Sequence, residues 1–161
     1  MKKLIKPIVC LVILLIVIAL TTGCAPDYVS KATGGGWFID EETGNKCTFG
    51  FNVNLKDNPG AEKNDKTLTG KLQFKDHETG IKIHLDEITY IETDSMMAND
   101  NIAYFEGWDK DGNFIKVTVQ DLGEPGPDAG DGIIIEYIDG PTYLLWYGTL
   151  GGGNIQAHPA D

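Results

Sequence analysis

The chain has 161 residues, a net charge of −11 at pH 7 from 24 acidic and 13 basic side chains, and no arginine. This length corresponds to one ordinary domain, large enough to bury a core without disulfide bonds. Nucleic-acid binding is not expected, because it needs a basic face and is favoured by guanidinium groups that grip phosphate.

The first 24 residues have the layout of a secretory signal. Three lysines lie ahead of an unbroken apolar run over residues 8–20, and Gly23 stands directly before Cys24. This segment resembles a bacterial lipoprotein signal, in which cleavage leaves the cysteine as a lipid-bearing N-terminus. The resemblance implies a signal peptide over residues 1–23, lipidation of Cys24, and a mature chain anchored outside the cytoplasmic membrane.

Two alternatives remain open for this segment. An uncleaved membrane anchor is one, although the apolar run of thirteen residues is shorter than the roughly 20 that a spanning helix needs. Plain secretion is the other. All three interpretations place the rest of the chain outside the cytoplasmic membrane.

The polar residues after Cys24 predict a tether over residues 24–33, followed by a single domain over residues 34–161. Between residues 46 and 55 the side chains alternate strictly, with Cys47, Phe49, Phe51, Val53 and Leu55 on one face. Period two over ten residues predicts a half-buried strand. Cys47 has no disulfide partner in the mature chain and shares the core face, which predicts a structural role.

The rest of the chain repeats this pattern. A phase slip at Asp86-Glu87 predicts a β-bulge, and residues 121–131 form a long acidic connection. No stretch has a helical period. The remaining strands are predicted near residues 68–74, 81–90, 102–108, 115–119, 133–138, 143–147 and 154–157.

This pattern predicts an all-β fold: an antiparallel meander of about eight strands closed as a barrel and preceded by the apolar signal helix. A β-sandwich is the alternative, since either arrangement hides the sheet edges. The triple glycines at 34–36 and 151–153 predict sharp bends where the first and last strands meet. Large inward residues such as Phe49 and Phe105 favour a filled interior over a lipocalin-like carrier.

Five segments in order carry a resemblance to a known family: Gly34-Gly35-Gly36-Trp37, then residues 47–53, 70–77, 117–126 and 151–158. The stretch from Thr33 to His158 resembles the post-COAP domain of secreted and surface proteins of bacteria and archaea. The resemblance implies an extracellular all-β module, often attached to other domains, and it implies no activity.

The turn at Asp109, Asp111 and Asn113 has the alternating oxygen ligands that begin a calcium loop. An EF-hand also needs a bidentate Glu at position 12, where this chain has Gln120, so only a looser Ca²⁺ site on a β-turn is predicted. The acidic loop at 124–131 could share that cation. The alternative is a plain hairpin turn, for which Asp-Gly is preferred.

Trp37 and Trp108 are the candidate ligand-contacting aromatics, since aromatic rings stack on sugars. His77, His84 and His158 could together form a zinc site, although their spacing is uninformative. The sequence contains no catalytic motif, and no catalytic residue is assigned. We therefore expect a lipid-anchored cell-surface domain that acts as a binding or structural module, and its partner could be an envelope protein, a surface glycan or a small ligand in the mouth of the barrel. The alternative is a small extracellular hydrolase that uses carboxylates or a histidine-bound metal.

Overall fold

The protein is an eight-stranded antiparallel barrel. The computed structural model describes residues 28–57, 66–97, 100–139 and 141–158. Each strand pairs with its neighbours in sequence, and the last strand pairs with the first to close the sheet, which confirms the predicted barrel over the sandwich. The strands are β1 (Tyr28–Ile39), β2 (Lys46–Asp57), β3 (Lys66–Asp76), β4 (Lys82–Met97), β5 (Asp100–Asp109), β6 (Phe114–Asp121), β7 (Gly132–Asp139) and β8 (Thr142–His158).

Aromatic rings fill the barrel interior. Alternation along each strand turns one set of side chains inward, as in β2, where Cys47, Phe49, Phe51 and Val53 are buried. Successive ring centroids lie 4.9 to 6.4 Å apart, within the range of favourable aromatic pairs. The series of rings runs Trp146, Phe74, Phe38, Phe49, Phe51 and Phe105.

Glycines form the seam that closes the barrel. Gly34, Gly35 and Gly36 of β1 lie opposite Ile155, Asn154 and Gly153 of β8, so the two triple-glycine segments meet as predicted. A methyl group at Gly36 would overlap the carbonyl oxygen of Gly152, and Gly153 has a φ of +105°. Only glycine permits this backbone approach and this conformation without strain.

The structure corrects three sequence-based expectations. Strand β1 begins at Tyr28, so the second half of the predicted tether belongs to the barrel, and Ala32 is fully buried. The last two predicted strands are one continuous strand, Thr142–His158. The acidic connection contains one short helix, α1 (Gly126–Ala129), which no period in the sequence indicated.

The barrel has two distinct ends. The hairpin end carries the tight turns at 40–45, 77–81 and 110–113, and the terminal end carries the start of β1, the end of β8 and the connection with α1. The predicted bulge is present, because the register of β4 against β5 shifts between Leu85 and Glu87. Cys24 and the predicted signal peptide lie outside the described residues. No helix within the described ranges is long and apolar enough to cross a membrane.

Candidate functional site

The predicted calcium turn is built as a hairpin turn. Asp109 Oδ1 accepts hydrogen bonds from the backbone N–H groups of Asp111 and Asn113, both at 2.9 Å, and Oδ2 accepts one from Asn113 Nδ2 at 2.9 Å. Burial raises the pKa of Asp109, but these bonds outweigh it and hold the pKa below its usual value. Gly112 has a φ of +84°, as the turn requires. The carboxylate therefore stabilises the turn, and Asn113 directs its amide nitrogen, not its oxygen, at Asp109.

The other predicted metal ligands do not come together. The Asp109 turn lies at the hairpin end, whereas the 124–131 loop lies at the terminal end, so the two cannot share a cation. His77 hydrogen-bonds Thr48 at the hairpin end, His84 lies on β4, and His158 ends β8. Among the residues that the structure describes, no three His, Cys, Asp or Glu side chains form a metal-binding group.

The two candidate tryptophans lie on opposite walls of the barrel, since β1 and β5 are four strands apart in the closed sheet. The ring of Trp37 covers the backbone of Gly151 and Gly152, and the Lys46 ammonium lies 4.5 Å from its centroid. Trp108 is 43% exposed and packs on Phe114 at 4.8 Å. One ligand cannot contact both, and Trp108 is the more available for stacking.

Three buried aspartates hold the ends of the barrel together, and sequence reasoning missed them. Asp40 accepts a hydrogen bond from Tyr147 N at 3.0 Å, and Asp131 accepts from Leu122 N at 2.9 Å and Ile155 N at 3.1 Å. Burial raises the pKa of Asp131 even though these bonds act against it. Each carboxylate thus joins segments distant in sequence, as a structural group would.

Asp76, the third buried aspartate, lies at the base of a cleft of about 380 Å³ at the hairpin end, lined in part by Ile81 and Tyr143. Its carboxylate accepts hydrogen bonds from Trp146 Nε1 at 3.2 Å and Asn45 Nδ2 at 3.1 Å, and from the N–H groups of Glu78 and Thr79. Burial raises its pKa, but the hydrogen bonds outweigh this and lower the pKa to about 2. The protein's own donors already occupy this carboxylate.

One outer wall of the barrel is rich in exposed apolar side chains. On β4, β5 and β7, exposed or half-exposed rings and aliphatic groups lie next to carboxylates at outward positions, and β6 and β8 add Phe114 and Tyr143. Tyr143, the most exposed of them, is 55% exposed. We call this wall the aromatic face, and its members are Tyr90, Glu92, Tyr104, Glu106, Trp108, Phe114, Ile134, Glu136, Ile138 and Tyr143.

Tyrosine–glutamate pairs order the aromatic face. Tyr90 donates its hydroxyl to Glu92 at 2.9 Å, and Tyr104 donates its hydroxyl to Glu106. Tyr143 donates to Glu136 in the same way, at 3.0 Å. The bond to Glu92 raises the pKa of Tyr90, and the bond to Glu136 raises that of Tyr143. The rings and carboxylates are therefore fixed relative to one another while their outer surfaces stay open to solvent.

The wall formed by β2, β3 and the start of β4 has a different chemistry. Outward positions of β2 and β3 carry lysine, threonine, asparagine and glutamine, and Lys82 and His84 of β4 extend the same surface. Register pairs such as Asn52 with Lys71 place these side chains next to one another. We call this wall the basic face, and its members are Lys46, Thr48, Gly50, Asn52, Lys71, Gln73, Lys75, Lys82 and His84.

The described residues thus form a barrel with a filled core, an aromatic face on β4 to β8 and a basic face on β2, β3 and the start of β4. Comparisons of the chain with models of protein families, with curated proteins and with solved structures each find no match. The resemblance to the post-COAP domain stays a prediction made from the sequence.

Proposed function

We propose that this chain is a lipid-anchored module, held outside the cytoplasmic membrane through Cys24, that binds a surface glycan on its aromatic face. The observation that carries the ligand assignment is the set of exposed rings bonded to carboxylates on β4 to β8. Because aromatic side chains fill the barrel interior, a ligand binds on an outer wall or at a mouth.

The chemistry of the aromatic face suits a sugar polymer. An exposed ring can stack on the apolar face of a pyranose, and a neighbouring carboxylate oxygen can accept hydrogen bonds from its hydroxyl groups. Trp108, Phe114, Ile138 and Tyr143 lie in register across four adjacent strands. At ~4.8 Å between strands, this row extends over about 14 Å, long enough for a short oligosaccharide.

Co-sedimentation with insoluble cell-wall polysaccharide tests the ligand. We expect the full chain to sediment with the polymer and the double variant Trp108→Ala, Tyr143→Ala to lose most of this binding. Ile39→Ala is the matched control, because Ile39 is 46% exposed on β1, outside the aromatic face. Equal sedimentation of the wild type and the double variant, or none for the wild type, would refute glycan binding by this face.

The intact mass of the protein from its native membrane tests the anchor. We expect a chain that begins at Cys24 and carries a diacylglyceryl group, and we expect the Cys24→Ala form to lack that group. A full-length, unmodified mass would instead indicate that residues 8–24 remain as a membrane anchor.

A further inference from the structure

Positive charge is concentrated on one side of this acidic protein. Seven of the nine described lysines lie in β1 to β4, although the whole chain carries a net charge of −11. The outward positions of β2 (46, 48, 50, 52, 54, 56) and of β3 (67, 69, 71, 73, 75) hold no carboxylate. Of the two remaining described lysines, Lys116 on β6 lies across the barrel from this wall, whereas Lys110 follows Asp109, which pairs with Leu85 of β4.

The basic face is shallow and open. Two grooves of about 350 and 270 Å³ follow β2 and β3, the first beside Gly50 and Gln73 and the second beside Asn52 and Lys71. A methyl group added at Gly50 would have no neighbouring atom within 4 Å. Ammonium and amide donors on a broad, open surface suit an extended array of anionic groups better than one enclosed small molecule.

The attachment point brings this wall to a membrane. If Cys24 carries the proposed lipid, four Cα steps separate it from Tyr28, the first residue of β1. At most ~3.6 Å per residue, the first and last Cα atoms of this stretch are no more than about 14 Å apart. Tyr28 lies opposite Lys56 of β2, so the attachment point is at the terminal end of the wall that carries the basic face. The row of Trp108, Phe114, Ile138 and Tyr143 lies at the other end of the barrel, the hairpin end.

We propose that the basic face docks on the anionic phospholipid surface of the membrane that holds the lipid anchor. This inference rests on the anchor of the proposed function. Lysines near an anionic bilayer are attracted to it, and the attraction extends only over a Debye length, which the short tether keeps within reach. Docking in this way turns the aromatic face outward, where a surface polymer can contact it.

Lysine acylation read by mass spectrometry tests the docking. The lipidated full chain is placed in nanodiscs of neutral phosphatidylcholine and in discs that also contain anionic phosphatidylglycerol. We expect Lys71 and Lys82 to react about fivefold more slowly in the anionic discs at low salt, and high salt to remove the difference. Lys116, on β6, is the internal control that should react alike in both discs. Equal rates for Lys71 and Lys82 in the two discs would overturn the proposal.

Charge-reversal variants make the test specific to this wall. The double variant Lys71→Glu, Lys75→Glu should remove the anionic-lipid protection of Lys82, whereas Lys116→Glu should leave it intact. Persistence of protection in the double variant would overturn the proposal, as would protection by soluble polyphosphate without protection in anionic discs. Failure of the anchor is separable, because an unanchored chain would not elute with the neutral discs at all.

Discussion

The replacement Asp76→Asn probes the polar network at the hairpin end. Asp76 is 1% exposed, and one oxygen, Oδ1, accepts from the N–H groups of Glu78 and Thr79. The other oxygen, Oδ2, accepts from Trp146 Nε1 and Asn45 Nδ2. An asparagine can keep one oxygen on the two backbone groups, but its amide nitrogen then faces the indole N–H, so donor meets donor.

The expected loss of stability follows from the bonds that disappear. A buried donor left without an acceptor costs about 1–3 kcal/mol, and hydrogen bonds to a charged group are worth about 1.5–3 kcal/mol each. Asparagine retains the two backbone bonds in weaker, uncharged form and loses the bonds that Trp146 and Asn45 donate to Oδ2. We therefore expect Asp76→Asn to lower the free energy of unfolding by about 3 kcal/mol.

A double-mutant cycle with Trp146→Phe isolates the indole bond. Phenylalanine removes the donor, so Asp76→Asn should cost about 1–2 kcal/mol less in that background than in the wild type. Urea unfolding at neutral pH measures each free energy, and unchanged m-values would show that the variants unfold by the same two-state transition. Asp111→Asn is the control, because Asp111 is exposed in a turn and should change stability by less than about 0.5 kcal/mol.

A coupling energy below about 0.5 kcal/mol between positions 76 and 146 would refute this reasoning. It would mean that the 3.2 Å contact adds no stability beyond what the two backbone bonds provide.

Three further predictions follow from named contacts. Since the Asp76 pKa is lowered from 3.8 to about 2, its stabilisation is complete above pH 3.8 and is lost toward pH 2, so the acid decrease in urea midpoint should be smaller in Asp76→Asn. Burial raises the pKa of the Cys47 thiol to about 12. Peptide mass mapping should therefore find Cys47 unmodified by iodoacetamide at pH 8 until urea unfolds the chain, and rapid modification of Cys47 in the folded protein would contradict this. Gly107→Ala should lower the free energy of unfolding by more than about 2 kcal/mol, because its methyl group would overlap the Glu87 carbonyl. Gly50→Ala is the control and should cost less than about 0.5 kcal/mol, because a methyl group there has no neighbouring atom within 4 Å. Equal urea midpoints for the two variants would contradict this prediction.

The parts of the fold that local pattern determines were predictable. The alternation from Cys47 to Leu55 is strict because one side of β2 faces a core. The triple glycines predicted the seam because a close backbone approach excludes side chains. The first half of β1 was missed, since its inward positions hold the small residues Ser30 and Ala32, which give no hydrophobic period.

The buried aspartates share a pattern that is visible in the sequence. Asp40, Asp76 and Asp131 each continue the inward phase of a strand, two residues from Phe38, Phe74 and Ile133 respectively. A carboxylate in an inward position at a strand end predicts a buried acceptor for backbone donors, since a buried charge must be hydrogen-bonded.

The two outer faces could not be predicted in the same way. Each depends on the register of several strands, which places residues distant in sequence side by side. The negative net charge of the whole chain also gives no indication that most of the described lysines lie on one wall.

Closure of the barrel determines the order in which its edges are protected during folding. Every other strand finds its partner in an adjacent hairpin or loop, but β1 must wait for β8, more than 110 residues further along the chain. Such distant contacts slow folding, and an unpaired strand edge is a template for aggregation in the meantime. The middle of the unpaired β1 edge, residues 31–36, holds Lys31, small residues and three glycines, which offer little hydrophobic surface to another chain. The glycines that permit closure of the native sheet therefore also limit the attraction of this stretch to other chains before β8 arrives.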